Sequence, residues 1–198
     1  MEPMYLRIFE RAKAFLDTRD NELHTRIASA FAEKLLEAEG GDARVVLPAI
    51  LLHDVGWKMV PEELQLTAFG PGHNDMTINR IHEVEGAKIA RRLLEELGYD
   101  PKLIDEIVAI ILEHDSRLKP LSLNDAIVKD SDKLWRFTAE ALQVDPKRFG
   151  IDPGVHTRWL KLQIEGWFIT ETGIRLARQE QRERAIHFGV EDDNKEEI

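Results

Sequence analysis

The sequence predicts an all-α fold. Apolar residues recur at helical spacing along almost the whole chain, and no stretch shows sustained period-two alternation rich in β-branched residues. The breaks between apolar stretches carry helix stops and caps. Helices are expected at about 4–17, 21–38, 43–55, 79–97, 101–115, 123–143 and 155–187.

In 21–38, His24 shares a face with Ile27, Ala28, Phe31 and Leu35, so its imidazole points inward. Gly40-Gly41 ends that helix. The next, 43–55, is apolar nearly all round (Val45, Val46, Leu47, Ala49, Ile50, Leu51, Leu52), which marks a central helix, with Pro48 bending it and His53 and Asp54 in its last turn. Residues 58–78 hold Pro61, Gly70, Pro71 and Gly72 and read as a loop with a short helix, long enough to line a site. In 79–97, His82 lies on a face with Gly86, Ile89 and Leu93 and is inward too. Gly98 ends that helix, and Asp100-Pro101 caps the next. There, His114 is at the edge of the arc Ile104, Ile107, Val108, Ile111, Leu112, and Asp115 lies nearer its centre. In 123–143 the apolar line is Ile127, Val128, Leu134, Trp135, and Asp130 and Asp132 flank it about equally; periodicity does not choose between them. Helix 155–187 sets Trp159, Leu162, Trp167 and Ile174 among Arg175, Arg178, Arg182 and Arg184. That pattern reads as core packing with a solvated arginine face, and its sharper alternative is a homodimer interface. His73 reads as a solvated loop residue, with a substrate contact or proton donor as the alternative, and His156 and His187 as surface groups.

The 198 residues hold no linker-like tract and suit one domain, with a frayed acidic tail at 189–198. No signal peptide or membrane-spanning run is visible, so the expectation is a soluble, cytoplasmic protein with no membrane partner. A net charge of −10, from 37 acidic and 27 basic residues, repels long nucleic acid and excludes it as an expected partner. A small anionic substrate remains compatible if a cation reverses the local field. The absence of cysteine restricts any metal to imidazole and carboxylate ligands.

One buried histidine is ordinarily satisfied by a backbone carbonyl. Five inward imidazole and carboxylate candidates in one domain ask for a common compensation, and a divalent cation serves them all. The order His24, then His53-Asp54 in AILLHDVG, then Asp132 in DSDKL, resembles the HD-domain metal-dependent phosphohydrolases over roughly residues 20–140. The resemblance implies an HD-type helical bundle with a C-terminal extension over 141–188. It implies a divalent metal held by His24, His53, Asp54 and Asp132, and it selects Asp132 over Asp130. His82 and His114 stand where two-metal members add histidines, for a second ion or for substrate phosphate. One or two ions (Mn, Fe, Co, Ni, Zn or Mg) are therefore expected per chain. Two departures stand out: Trp57 occupies the place where many relatives carry lysine, and no G-Y-P signature of the cyclic dinucleotide branch follows the doublet.

The implied activity is hydrolysis of a small phosphate ester or nucleotide, whether phosphomonoester, phosphodiester or phosphoanhydride. Asp130 or Asp115 could take a proton from water, and Lys133, Arg136 or Arg80, each neighbouring a proposed ligand, could bind phosphate. The rivals are a di-iron oxygenase of the same fold and a non-catalytic nucleotide- or metal-binding sensor.

Overall fold

The computed structural model describes residues 2–68 and 75–188. Ten α-helices and short 3-10 turns make up the described residues, with no strand among them: α1 (Pro3–Ala12), α2 (Asn21–Glu39), α3 (Ala43–Leu52), α4 (Glu62–Gln65), α5 (Met76–Glu96), α6 (Pro101–Ile111), α7 (Leu123–Leu134), α8 (Ala139–Phe149), α9 (Pro153–Trp167) and α10 (Glu171–Phe188). Every residue of α3 from Val45 to Leu52 is buried. A helix apolar all round must be enclosed on every side, and α1, α2, α6 and α7 pack around it. The expected punctuation holds: Gly40 and Gly98 take positive φ (84° and 70°), and Asp100 accepts a hydrogen bond from Lys102 N at 3.0 Å ahead of Pro101. No helix of the described residues is long and apolar enough to cross a membrane.

The helix expected over 4–17 ends at Ala12 and gives way to a 3-10 turn over Lys13–Phe15, the one expected over 79–97 begins at Met76, and four further differences shape the site. The one expected over 43–55 stops at Leu52; His53 caps it, and Asp54 (φ −99°, ψ 3°) leads into a 3-10 turn over Val55–Met59. The one expected over 101–115 stops at Ile111, so His114 and Asp115 sit in the turn that follows. The line read as one helix over 123–143 is two. Trp135–Phe137 form a 3-10 turn and Thr138 turns extended (ψ 164°) to cap α8, accepting from Ala141 N at 3.3 Å. The line over 155–187 is also two, interrupted at Phe168–Thr170. Asp130 organises that break by accepting from Ile169 N (2.9 Å), Thr170 N (2.8 Å) and the Thr170 hydroxyl (2.7 Å).

The C-terminal stripe is largely absorbed into the protein. Trp159, Trp167 and Ile174 pack on the core, while Leu162 points outward. Arg175, Arg178 and Arg182 are exposed as expected. Arg184 corrects the reading of a solvated face: it is buried and donates to Thr157 Oγ1 (2.9 Å), Arg136 O (2.7 Å) and His156 Nδ1 (2.7 Å). His156 is therefore no surface group either. His73 and the His187 side chain lie outside the described residues.

Candidate metal centre

Helix ends build the site. The last carbonyls of a helix lack intrahelical partners, and two histidines use them. His53 Nδ1 lies 2.8 Å from Ile50 O at the end of α3, and His114 Nδ1 lies 2.9 Å from Ile111 O at the end of α6. A carbonyl can only accept, so each Nδ1 carries the proton and each Nε2 turns inward. There His53 Nε2 faces His24 Nε2 at 2.9 Å, and His114 Nε2 faces His82 Nε2 at 3.3 Å. Asp132, from the last turns of α7, reaches His24 Nε2 at 3.2 Å and His53 Nε2 at 3.4 Å. Asp54 stands between the two histidine pairs, 3.7 Å from His24, 3.6 Å from His53 and 3.8 Å from His114. Asp115 completes the far side, 3.6 Å from His82 and 3.8 Å from His114.

Three overlapping donor sets result: His24, His53 and Asp132; His53, Asp54 and His114; His82, His114 and Asp115. The six residues expected from the sequence thus converge, and Asp115 joins them. All are buried except Asp115, which is partly exposed. Burial opposes a charge on each of the six buried groups, yet both Asp54 and Asp132 are held well below the usual carboxylate range by the surrounding imidazoles. Burial also works against a proton on His114, but Asp115 and Asp54 outweigh it and lift the group to about 10. His82, where burial and His114 prevail, drops to about 4. The cluster is anionic and draws positive charge into its middle. Facing Nε2 atoms and ionised carboxylates suit a divalent cation of the first transition row.

Side chains without an obvious motif hold this arrangement. Trp57 stacks on His82 (centroids 4.0 Å apart, planes at 11°) and donates from Nε1 to Asp54 at 3.0 Å. Fully buried Glu83 accepts from Asp115 N, Ser116 N and the Ser116 hydroxyl (3.0, 2.8 and 2.8 Å), fixing the turn that carries Asp115. Close approach at Gly56 and Gly86 brings the Val55–Met59 turn onto α5.

Above the donor sets lie three guanidinium groups, those of Arg19, Arg136 and Arg148. Fully buried Asp145 accepts from Arg136 (3.2 Å) and Arg148 (3.1 Å). Arg19 lies 4.0 Å over the Trp57 ring and donates to Gln65 O, and Arg148 donates to Arg19 O. Burial first, and then the neighbouring Arg148, push Arg19 down to about 10. Arg19 and Asp20 both have φ 56°, a left-handed conformation that costs a non-glycine residue roughly 1–2 kcal/mol and persists where the surroundings enforce it. Asn21, which is buried, lines the same opening with its Nδ2 lacking a partner among the described residues.

Other sequence candidates lie elsewhere. Asp130 faces the start of α10 with both carboxylate oxygens engaged, so it is a structural anchor and not the proton acceptor considered for it. Arg80 is tied to Glu83 (3.1 Å) and Leu112 O, behind the Asp115 turn, and does not line the opening. Lys133 lines an adjoining cavity. Lys58 reaches out to Asp17 at 2.7 Å. Of the residues that pattern reading missed, Asn21 had a signal, since it lies one turn before His24 on the same face. Arg19, Arg148, Asp145 and Glu83 had none: Arg148–Asp145 and Arg80–Glu83 read as ordinary i,i+3 helix pairs, and the contacts that bring these groups to the site, such as Glu83 with Asp115 N and Arg148 with Arg19 O, span distant segments.

An HD domain family model matches residues 22–136, a span that runs from the start of α2 past Asp132. A crystal structure of a predicted HD superfamily hydrolase from an uncultured Thermotogales bacterium is similar at TM-score 0.61 and 22% identity, over 92% of this chain and 87% of that one. At that identity the likeness establishes the fold. A comparison with curated proteins finds no match.

Proposed function

Because the chain belongs to the HD domain family of metal-dependent hydrolases, we propose that it hydrolyses a phosphate ester of a small molecule, with a nucleotide among the candidates. One observation carries this reading: three guanidinium groups and an unpartnered Asn21 amide crowd over the donor sets, in a protein of net charge −10. Asp145 and, 3.6 Å from Arg148, Asp20 balance only part of that charge, and a substrate anion would balance the rest.

His24, His53 and Asp132 would hold one divalent ion and His82, His114 and Asp115 a second, with Asp54 between. Bound there, such an ion supplies a water of lowered pKa and polarises a phosphoryl oxygen. The chain's own groups do the rest. Arg19, Arg136 and Arg148 orient the phosphoryl oxygens by charge-assisted hydrogen bonds, Asp145 holds two of those arginines in place, and Asn21 Nδ2 donates to an oxygen deeper in the site. Trp57 and Trp135 keep water out from the sides. Asp115, considered for proton transfer, is better used as a ligand, since its Oδ2 faces two imidazoles.

The test is to strip the chain, reload it with Mn, Fe, Co, Ni, Zn or Mg, and assay phosphomonoesters, phosphodiesters and nucleotides alongside bound metal. Hydrolysis of at least one class is expected, with about two ions bound. Asp54→Ala should lose activity and most of the metal, and His82→Ala should retain one ion. Dioxygen consumption by the iron form without hydrolysis would favour the oxygenase, and nucleotide binding without turnover the sensor.

A further inference from the structure

A cavity of about 330 Å³ adjoins the metal centre and shares Asp115, Asp132 and Arg136 with it. Its wall is formed partly by α7, which presents Lys129 and Lys133 one helical turn apart. Like charges at this spacing repel each other and weaken a helix. Neither ammonium has an ion-pair partner among the described residues. Lys129 is 2% exposed and donates only to Glu113 O and His114 O. Lys133, partly exposed, makes no hydrogen bond among the described residues. Arg117, on the same cavity, is neutralised by Glu113 (2.7 Å) and Asp125 (3.0 Å), so the cations there without a directly paired carboxylate among the described residues are the two lysines, with Asp125 and Asp115 acting on Lys129 and Asp130 on Lys133 only at longer range. Asn79 supplies an independent sign of a ligand: it is 3% exposed, lines the cavity from α5, and its Oδ1 has no partner among the described residues. A buried acceptor left unmatched is destabilising, and a donor on a bound molecule would remove that cost.

We propose that this cavity receives the leaving-group part of the substrate, and that this part carries a second anionic group, carboxylate or phosphate. The anion pairs with Lys133, and a substrate hydroxyl donates to Asn79 Oδ1. The larger cavity on the other side, about 880 Å³, shares only Arg19 with the centre. Its rim holds Asp17, Asp20, Glu22 and Glu62, and two of its cations, Lys58 and Arg26, are already paired with Asp17 and Glu22. An anionic leaving group is therefore favoured in the smaller cavity. The assignment rests on the phosphohydrolase reading for the position of the scissile phosphate.

Two substrate pairs test it with the full-length, manganese-loaded chain. 3-Phosphoglycerate and glycerol 3-phosphate differ by a carboxylate, and fructose 1,6-bisphosphate and fructose 6-phosphate by a second phosphate. The anion-bearing member of at least one pair should have a kcat/KM about tenfold higher. Lys133→Gln should erase the preference by raising KM with kcat kept, and should leave the other member unchanged. The pair that responds tells carboxylate from phosphate. Where a probe is not turned over, calorimetry on the same samples reads the same preference as Kd. Equal values within both pairs, or a preference that survives in Lys133→Gln, overturn the cavity assignment. A preference in Kd with no hydrolysis of any probe or of p-nitrophenyl phosphate overturns the phosphohydrolase reading and leaves the cavity standing.

Discussion

Replacing Gly56 by alanine should dismantle the centre without touching any of the proposed ligands. A Cβ at that position would lie 1.9 Å from His82 O, 2.5 Å from Gly86 N and 2.8 Å from the His82 carbonyl carbon. All three are backbone atoms of α5, so no rotamer change relieves the overlap. Ordinary van der Waals contact begins near 3.4 Å, and the Val55–Met59 turn would have to retreat from α5 by about 1.5 Å. Overpacking costs about 1–3 kcal/mol where side chains can give way. Here they cannot, and the retreat also separates Trp57 from His82, whose rings stack at 4.0 Å. A loss of about 3 kcal/mol follows, which at a urea slope of about 2–3 kcal/mol/M lowers the midpoint by roughly 1 M or more. Urea unfolding followed by circular dichroism measures it, and equilibrium dialysis should show loss of the ion assigned to His82, His114 and Asp115. Gly166→Ala is the control: it lies within α9 with nothing within 4 Å of a new Cβ, so it should gain up to about 1 kcal/mol from helix propensity. A Gly56→Ala chain with the wild-type midpoint and full metal content would refute the reasoning.

The two aspartates of α7 should separate cleanly. Asp132→Asn should abolish hydrolysis and weaken metal binding with little change in folding. Asp130→Asn should keep the metal but lose about 1–3 kcal/mol in urea unfolding, because one acceptor oxygen becomes an amide nitrogen facing either the Ile169 or the Thr170 N–H group. His156 sets an acid sensitivity away from the metal. Burial and then Arg184 push it from 6.5 to about 4, so between those values the unfolded chain binds the extra proton and stability falls as pH drops. The loss from pH 7 to pH 5 is about 2 kcal/mol, and His156→Gln, which keeps an acceptor for Arg184, should flatten that part of the stability–pH curve. An unchanged slope would show that His156 is not the titrating group.

The centre was unusually legible in the sequence, and the reason is physical. His24 and His82 each sit amid an apolar face, so helical periodicity alone aims them at the core. His53-Asp54 follows a helix apolar on all sides, so the doublet had to be buried. Helix ends were harder. Periodic apolar residues continue through Trp135–Phe137 and Phe168–Thr170, and the signals that divide those helices, Thr138 and Thr170 as caps, are single residues. Thr170 works only because Asp130 reaches it from 40 positions earlier.

What the sequence by itself determined is therefore that His24, His82 and the His53-Asp54 doublet turn inward and, through that, a candidate nitrogen–oxygen metal centre in an all-α fold. Tertiary structure alone decided what each inward polar group meets. Asp130 and Asp132 flank the same apolar line, and only the packing of α10 on one side and of α2 and α3 on the other gives one to a helix start and the other to His24 and His53. The arginine cluster was equally hidden: Arg19 and Arg148 look like surface charge until the turn before α2 and the end of α8 fold over the same opening. Periodicity reports the environment of a helix face, whereas a binding site is a set of partners from separate segments, and those partnerships exist only once the chain has closed.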